Sequence, residues 1–287
     1  MPTLLSRCVV LLSILCWNST AAECGYAHYG NIFYRPAYSN IENRIVGGIV
    51  APPNAFPWQA LIQRTFPSLV TCGGSLIQLD KSRNDSDLVL TAAHCLYDKD
   101  RNVWIDSTNI TVILGAYNRL NPYEHTRQVF PVQDYLAHSY HPHATENDIA
   151  VLKLQSTARH AAVINPICVP QRKDFLPLGT TCLTSGWGIA NTMDSFGALR
   201  MTYLSVALRE ICGDTPLRHP YEICTRNFGL RGICHGDSGS PLMCLHEGRY
   251  FIFGIATWVT QCGDVSAFTD VSYYSDWIRR VARWFDQ

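Results

Sequence analysis

Leu88-Val89-Leu90-Thr91-Ala92-Ala93-His94-Cys95 is a short apolar run that narrows to two alanines and stops on a histidine and a cysteine. Its length and branched content predict a strand ending near His94. The same kind of run recurs outward from it, at residues 58–62, 110–114, 149–154 and 250–257. Gly, Pro, Asn and Asp punctuate the intervals. Short runs at this spacing predict an all-β chain of antiparallel sheets or barrels. A helical period is present only at the end, where Trp277, Ile278, Val281, Trp284 and Phe285 fall three and four residues apart. Ser275 or Asp276 is expected to cap that helix. No short-period repeat or low-complexity segment interrupts the pattern.

The chain has 287 residues, room for one large β domain or two small ones. Hydrophobic residues make up 47% and charged residues 16%, a globular composition. Lys plus Arg (23) equals Asp plus Glu (23), so no net charge draws the chain to nucleic acid or to an anionic membrane. Neither is expected as a partner.

Arg7, an apolar run from Cys8 to Trp17, and the small residues Thr20, Ala21 and Ala22 read as a secretory signal over 1–22. The run is short for a bilayer span, which leaves a retained anchor as the weaker alternative. Residues 23–44 are Tyr-, Asn- and Gly-rich without a period and are read as a propeptide. Removing Cys8 and Cys16 with the signal leaves ten of the twelve cysteines. An even number in an exported chain implies disulfides, and the spacings of a zinc site are missing. Asn84 and Asn109 open glycosylation sequons, in keeping with an extracellular destination. A third, at Asn18, lies inside the signal.

Three segments carry chemistry. They are Thr91-Ala92-Ala93-His94-Cys95, Asn147-Asp148-Ile149-Ala150-Val151-Leu152 and Gly236-Asp237-Ser238-Gly239-Ser240-Pro241. Each has an ordinary explanation alone: a histidine after a strand, a turn aspartate, a glycine-rich loop. Together, in the order His, Asp, Ser, they resemble the chymotrypsin family of serine proteases. The resemblance runs from Ile45 to the C-terminus. It takes in Arg44-Ile45-Val46-Gly47-Gly48, Cys72-Gly73-Gly74-Ser75-Leu76, Ser185-Gly186-Trp187-Gly188 and Trp277-Ile278.

The resemblance implies two antiparallel six-stranded β-barrels followed by a C-terminal α-helix, with a protease domain over 45–287. It implies His94, Asp148 and Ser238 as catalytic residues. A serine hydroxyl is a poor nucleophile at neutral pH and needs an adjacent base. His94 would take its proton, and Asp148 would orient the imidazole. The backbone N–H groups of Gly236 and Ser238 would form the oxyanion hole. Cleavage between Arg44 and Ile45 would release an ammonium that pairs with Asp237, making the chain a zymogen that needs a separate trypsin-like activator. The implied disulfides are Cys72–Cys95, Cys182–Cys244, Cys212–Cys224 and Cys234–Cys262, with Cys24–Cys168 left to tether the propeptide. Protein or peptide substrates and protein protease inhibitors are the expected partners. No cofactor is expected. Ala116 stands where trypsin's calcium loop has a carboxylate, so no metal is expected either.

The substrate pocket is expected from Gly232, Ile233, Thr257, Trp258, Val259 and Ser266. Gly232 supplies no charge for an Arg or Lys side chain. Val259 replaces a glycine and should narrow the pocket, and Ile233 should add apolar surface. The stretch Gly-Ile-Cys-His-Gly-Asp-Ser-Gly-Ser-Pro is similar to that of the elastases. A preference for small or medium aliphatic residues is therefore expected. Larger apolar residues, or a catalytically silent binding relative, are the alternatives. Thr257 departs from the family's usual serine beside the catalytic aspartate. The sequons at Asn84 and Asn109 lie in long loops expected at the cleft rim.

Overall fold

The structure is a computed structural model that describes residues 23–27, 48–142, 146–188, 197–212, 221–227, 232–259, 262 and 265–287. The signal segment, Arg44, Ile45 and the side chain of Val259 lie outside the described residues. Ile49–Val50 (β1) comes first. The first barrel then takes Gln59–Arg64 (β2), Val70–Ile77 (β3) and Asp85–Thr91 (β4). A small hairpin, Tyr97–Asp98 (β5) and Val103–Trp104 (β6), interrupts it. Ile110–Leu114 (β7), Gln128–Ala137 (β8) and Ala150–Arg159 (β9) complete it. These six close in the order β2-β3-β4-β9-β8-β7, all antiparallel.

The second barrel is built from Thr181–Gly186 (β10), Arg200–Val206 (β11), Glu222–Arg226 (β12), Pro241–His246 (β13), Arg249–Val259 (β14) and Val265–Asp270 (β15). Its order is β11-β10-β13-β14-β15-β12, and β12 pairs back onto β11 to close it. β1 adds to its edge at β11. The fold is therefore the expected pair of six-stranded barrels. The five runs read as strands correspond to β2, β4, β7, β9 and β14.

The barrels share a core rather than merely touching. Trp58, fully buried ahead of β2, donates its indole N–H to Met243 Sδ on β13 at 2.9 Å. Its ring centroid lies 5.5 Å from that of Tyr250 on β14. Ser185 Oγ on β10 donates to Gln59 Oε1 on β2 at 2.6 Å, also buried. A buried polar pair of this kind fixes relative orientation, because breaking it leaves an unsatisfied group.

The C-terminal helix spans Val271–Phe285 (α1) and starts earlier than expected. Its cap is Asp270, whose carboxylate accepts from Ser272 N at 2.9 Å. Ser275 and Asp276, the expected caps, lie within the helix. Its buried stripe is Val271, Tyr274, Ile278 and Val281, while Trp284 remains 51% exposed. Trp277 and Phe285 are partly buried and pack against the same core, so of the five residues at helical spacing Trp284 alone is exposed. A buried tyrosine with a hydroxyl partner serves as well as a tryptophan.

All five disulfides match the expected pairing. Cys24–Cys168 holds residues 23–27 against the second barrel, where Gly25 N donates to Pro166 O at 2.8 Å and Tyr250 N to Gly25 O at 2.9 Å. Among the described residues no helix is long and apolar enough to cross a membrane.

Replacing Asp270 with Ala should cost about 1 kcal/mol of stability through loss of the cap. Thermal unfolding is expected to fall by roughly 2–4 °C. Asp270→Asn should retain most of the parent's stability, because its amide oxygen can still cap.

Candidate active site

β4 delivers His94 to a one-turn 3-10 helix, Ala93–Leu96, and the Cys72–Cys95 disulfide pins that turn to β3. Asp148 precedes β9 and is 2% exposed. Asp148 holds His94 twice: Oδ1 accepts from the His94 backbone N–H at 2.8 Å, and Oδ2 lies 2.7 Å from Nδ1. The proton between Nδ1 and the carboxylate leaves the Nε2 lone pair free to act as a base.

The second barrel completes the setting of Asp148. Thr257 on β14 donates its hydroxyl to Asp148 Oδ2, so the threonine retains the donor that a serine would supply. Thr269 on β15 donates to the Asp148 carbonyl at 3.0 Å. Asn147 sits at φ +54°, and its Oδ1 accepts from Tyr274 of the helix at 2.8 Å. Burial pushes the Asp148 carboxyl up. The His94 charge and the donors from His94 and Thr257 outweigh it and hold the group below its usual range.

Ser238 lies in a tight turn over Cys234–Ser240. Asp237 N donates to Cys234 O at 3.0 Å and Ser240 N to Asp237 O at 2.9 Å. Gly236 adopts φ +95°, a conformation that favours glycine. The turn is pressed against the first barrel. Gly73 N on β3 donates to the Ser238 carbonyl at 2.7 Å, and Thr91 Oγ1 donates to Gly73 O at 2.8 Å. A Cβ on Gly239 would meet Gly73 O at 2.3 Å, and one on Gly73 would meet Ser240 Oγ at 2.2 Å. These two glycines let the serine turn reach the strand that is disulfide-bonded to the histidine turn. Among the described residues no hydrogen bond joins Ser238 to the imidazole.

Asp237 is 3% exposed. Its carboxylate accepts from Gly188 N at 2.8 Å and Cys234 N at 2.9 Å. Burial pushes it up to about 6, against those two donors and the more distant Arg119. A Cβ on Gly186 or Gly188 would meet the carboxylate at 2.1 or 2.4 Å. The Ser185-Gly186-Trp187-Gly188 motif is therefore the carboxylate's cradle, a role invisible without the fold.

Among the expected pocket residues, Gly232 is buried. Ile233 faces inward, packed with Leu204, Leu242, Phe253 and Phe268 in the core of the second barrel. Ser266 is fully buried, and its carbonyl accepts from Thr225. Trp258 is partly buried against Cys212, Cys224 and Val265. Thr257 directs its hydroxyl to Asp148.

The two sequons separate. Asn109 closes a short turn and accepts from Thr65 N at 3.1 Å, next to Arg64, which donates to Tyr97 O three residues beyond His94. Asn84, expected at the rim, is exposed at the opposite end of β4, roughly 20 Å of strand from His94. In the 115–128 loop Glu124 accepts from Tyr117 N and Asn118 N at 2.9 and 2.7 Å, which spends its carboxylate on the backbone. Cys72, His94 and Cys95 bring three ligand-type atoms together, but both sulfurs are consumed in their disulfide.

Two barrels, with the His–Asp pair on one and the serine turn on the other, define a class that the comparisons confirm. The family model described as Trypsin matches residues 45–278, and the chain belongs to that family. It is 34% identical over 267 residues to human tissue-type plasminogen activator and 34% identical over 266 residues to that of Pongo abelii. Each match covers 84% of this chain and 45% of the relative, so the chain spans about half the length of these curated relatives. Human heparin binding protein is similar in structure, with a TM-score of 0.67 and 29% identity over 83% of this chain and 96% of that one.

Thr257→Val should remove one donor from a buried carboxylate while keeping the shape. The expected loss is about 10- to 100-fold in kcat/KM on a peptide substrate, with recovery in Thr257→Ser.

Proposed function

We propose that the chain is a secreted serine endopeptidase made as a zymogen and activated by cleavage between Arg44 and Ile45. The observation that carries the reading is the doubly held His94–Asp148 pair, with Thr257 as a further donor and the Ser238 carbonyl bonded across the seam to Gly73 N. His94 Nε2 takes the Ser238 proton as Oγ bonds to the substrate carbonyl carbon. The oxyanion accepts from the N–H groups of Gly236 and Ser238. The carbon–nitrogen bond breaks as His94 returns the proton to the amine, and water then hydrolyses the acyl-serine by the same route.

Asp237 supports the zymogen reading. A carboxylate this buried, held by two backbone donors, is a strong acceptor for an ammonium freed at Ile45. The Cys24–Cys168 bond supports a tethered propeptide. Gly232 brings no charge, which supports small or medium aliphatic residues before the cut bond over Arg or Lys. The activator is a separate trypsin-like protease. Protein protease inhibitors follow from the same site chemistry, and export follows from the signal and the disulfides.

Arg44→Gln is expected to leave the secreted protein inert, with wild-type activity appearing only after cutting. A fluorophosphonate probe should label the cut protein and fail on Ser238→Ala. Full activity in an uncut chain, or hydrolysis surviving Ser238→Ala, would end the reading. Among Val, Ala, Phe and Arg p-nitroanilide peptides, Val or Ala should turn over best. Best turnover on Arg would overturn the aliphatic preference.

Separately, the cut protein should split into a short and a long chain only with reductant. Release of the short chain without it would break the tether assignment.

A further inference from the structure

Among the described residues the hairpin β5–β6 belongs to neither barrel, because its two strands pair with each other alone. A lone strand pair is marginal in water, so other contacts must hold it. Aromatic rings do so. The Trp104 ring lies edge to face with Tyr97 across the hairpin at 5.1 Å, and 6.1 and 6.2 Å from Tyr140 and Tyr135. Tyr97 meets Tyr140 at 6.1 Å, and both of these tyrosines are buried. Tyr135, on β8, closes the base by donating its hydroxyl to Ile105 O at 2.7 Å. The hairpin is joined directly to the catalytic turn, since the Tyr97 N–H donates to the His94 carbonyl. Tyr140 stands in the loop that leads to Asp148. The hairpin tip folds over the loop between β2 and β3, with the Arg101 guanidinium 5.8 Å from the centre of the Phe66 ring. Despite this support Phe66, Leu69, Val103 and Trp104 are 61, 69, 47 and 43% exposed. A single exposed apolar residue is ordinary. Four on two linked loops beside a catalytic histidine form a patch.

We propose that Phe66, Leu69, Val103 and Trp104 form an apolar shelf that docks the substrate polypeptide outside the residues held at the cut bond. Its occupant is a stretch of substrate chain carrying aliphatic or aromatic side chains. The proposal deepens the endopeptidase reading of the same cleft and rests on it. Continuity carries the assignment. The shelf grows out of the His94 turn itself, so a polypeptide long enough to pass that turn meets it. The local charges select the occupant. Arg101 pairs with Asp98 at 3.1 Å, Arg64 donates to Tyr97 O at 3.1 Å, and Lys99 and Asp100 oppose each other in sign. What the shelf offers a partner is therefore apolar area. Trp104 is already ordered by three rings, so binding costs it little side-chain entropy. The shelf touches no reacting atom. Its binding energy is the same in the ground state and the transition state, which lowers KM for long chains and leaves kcat alone. A short peptide does not reach it.

The activated protein tests this with two substrates, a short p-nitroanilide peptide and a long peptide with apolar residues distant from the cut bond. Phe66→Ser, Leu69→Ser and Trp104→Ser should each raise KM for the long peptide about fivefold and leave its kcat unchanged. None should move KM for the short peptide. Serines in place of the distant apolar residues of the long peptide should abolish the difference between parent and variants. Phe66 and Leu69 lie in a loop outside the ring cluster, so they report on the shelf even where Trp104→Ser unfolds the hairpin. A second readout needs no turnover. In 15N-labelled cut protein carrying Ser238→Ala, the indole resonance that is missing in Trp104→Phe should shift when the long peptide is added and stay in place with its serine version. Equal effects on the short and long peptides overturn the proposal, as does an unchanged KM in both Phe66→Ser and Leu69→Ser, or an indole that the long peptide leaves in place. A parent that sediments as a dimer, with Trp104→Ser a monomer, gives the patch to a second copy and overturns it too. If the parent cuts neither peptide, the endopeptidase reading falls, and the indole shift still decides whether the shelf binds an apolar chain.

Discussion

The Asp148 carboxylate is almost completely removed from water, and its donors come from both halves of the molecule. His94 supplies two of them from the first barrel, and Thr257 supplies one from the second. Thr269, on the second barrel, donates to the Asp148 carbonyl, and Tyr274, on the C-terminal helix, donates to the preceding residue, Asn147. An ionised carboxylate in such a place is tolerated only while those bonds hold. The charge therefore enforces the docking of the barrels, and the docking orients the imidazole. Stability and chemistry depend on the same contacts.

Close backbone approach provides the other half of that docking. The serine turn reaches the first barrel only because Gly73 and Gly239 leave no Cβ in the way, and the Ser238 carbonyl then meets Gly73 N–H directly. Gly186 and Gly188 make the same kind of space for Asp237. Each of these four positions lies in a motif that reads as a signature in the sequence. The physical content of each signature is an absent methyl group. The disulfides act beside them, fixing the histidine turn to β3 and residues 23–27 to the second barrel.

Three buried acidic groups stand in unlike settings. Asp148 accepts from His94 twice and from Thr257 and is held low, Asp237 has two backbone donors and rises, and Glu222, buried with one oxygen orphaned, rises as well. Burial is common to all three. The number of donors, and whether a cation stands close, separates them.

Strand-length runs, the ordered His, Asp and Ser motifs and the cysteine pattern were legible along the chain, because each is a local pattern or a set of segments in a fixed order. Through the family resemblance they implied the two-barrel fold, the pairing of ten cysteines and the residues that meet at the seam. Directions and distances were not legible. Asn84 was expected at the rim and the helix cap at Ser275 or Asp276, and the tertiary structure set Asn84 at the far end of β4 and the cap at Asp270. It also supplied the Thr269 and Tyr274 bonds and the burial of Glu222, none of which has a local signal. The physical reason is that burial and hydrogen-bond partnership belong to pairs of residues brought together from far apart along the chain, and only the folded packing decides which side of a strand faces which neighbour.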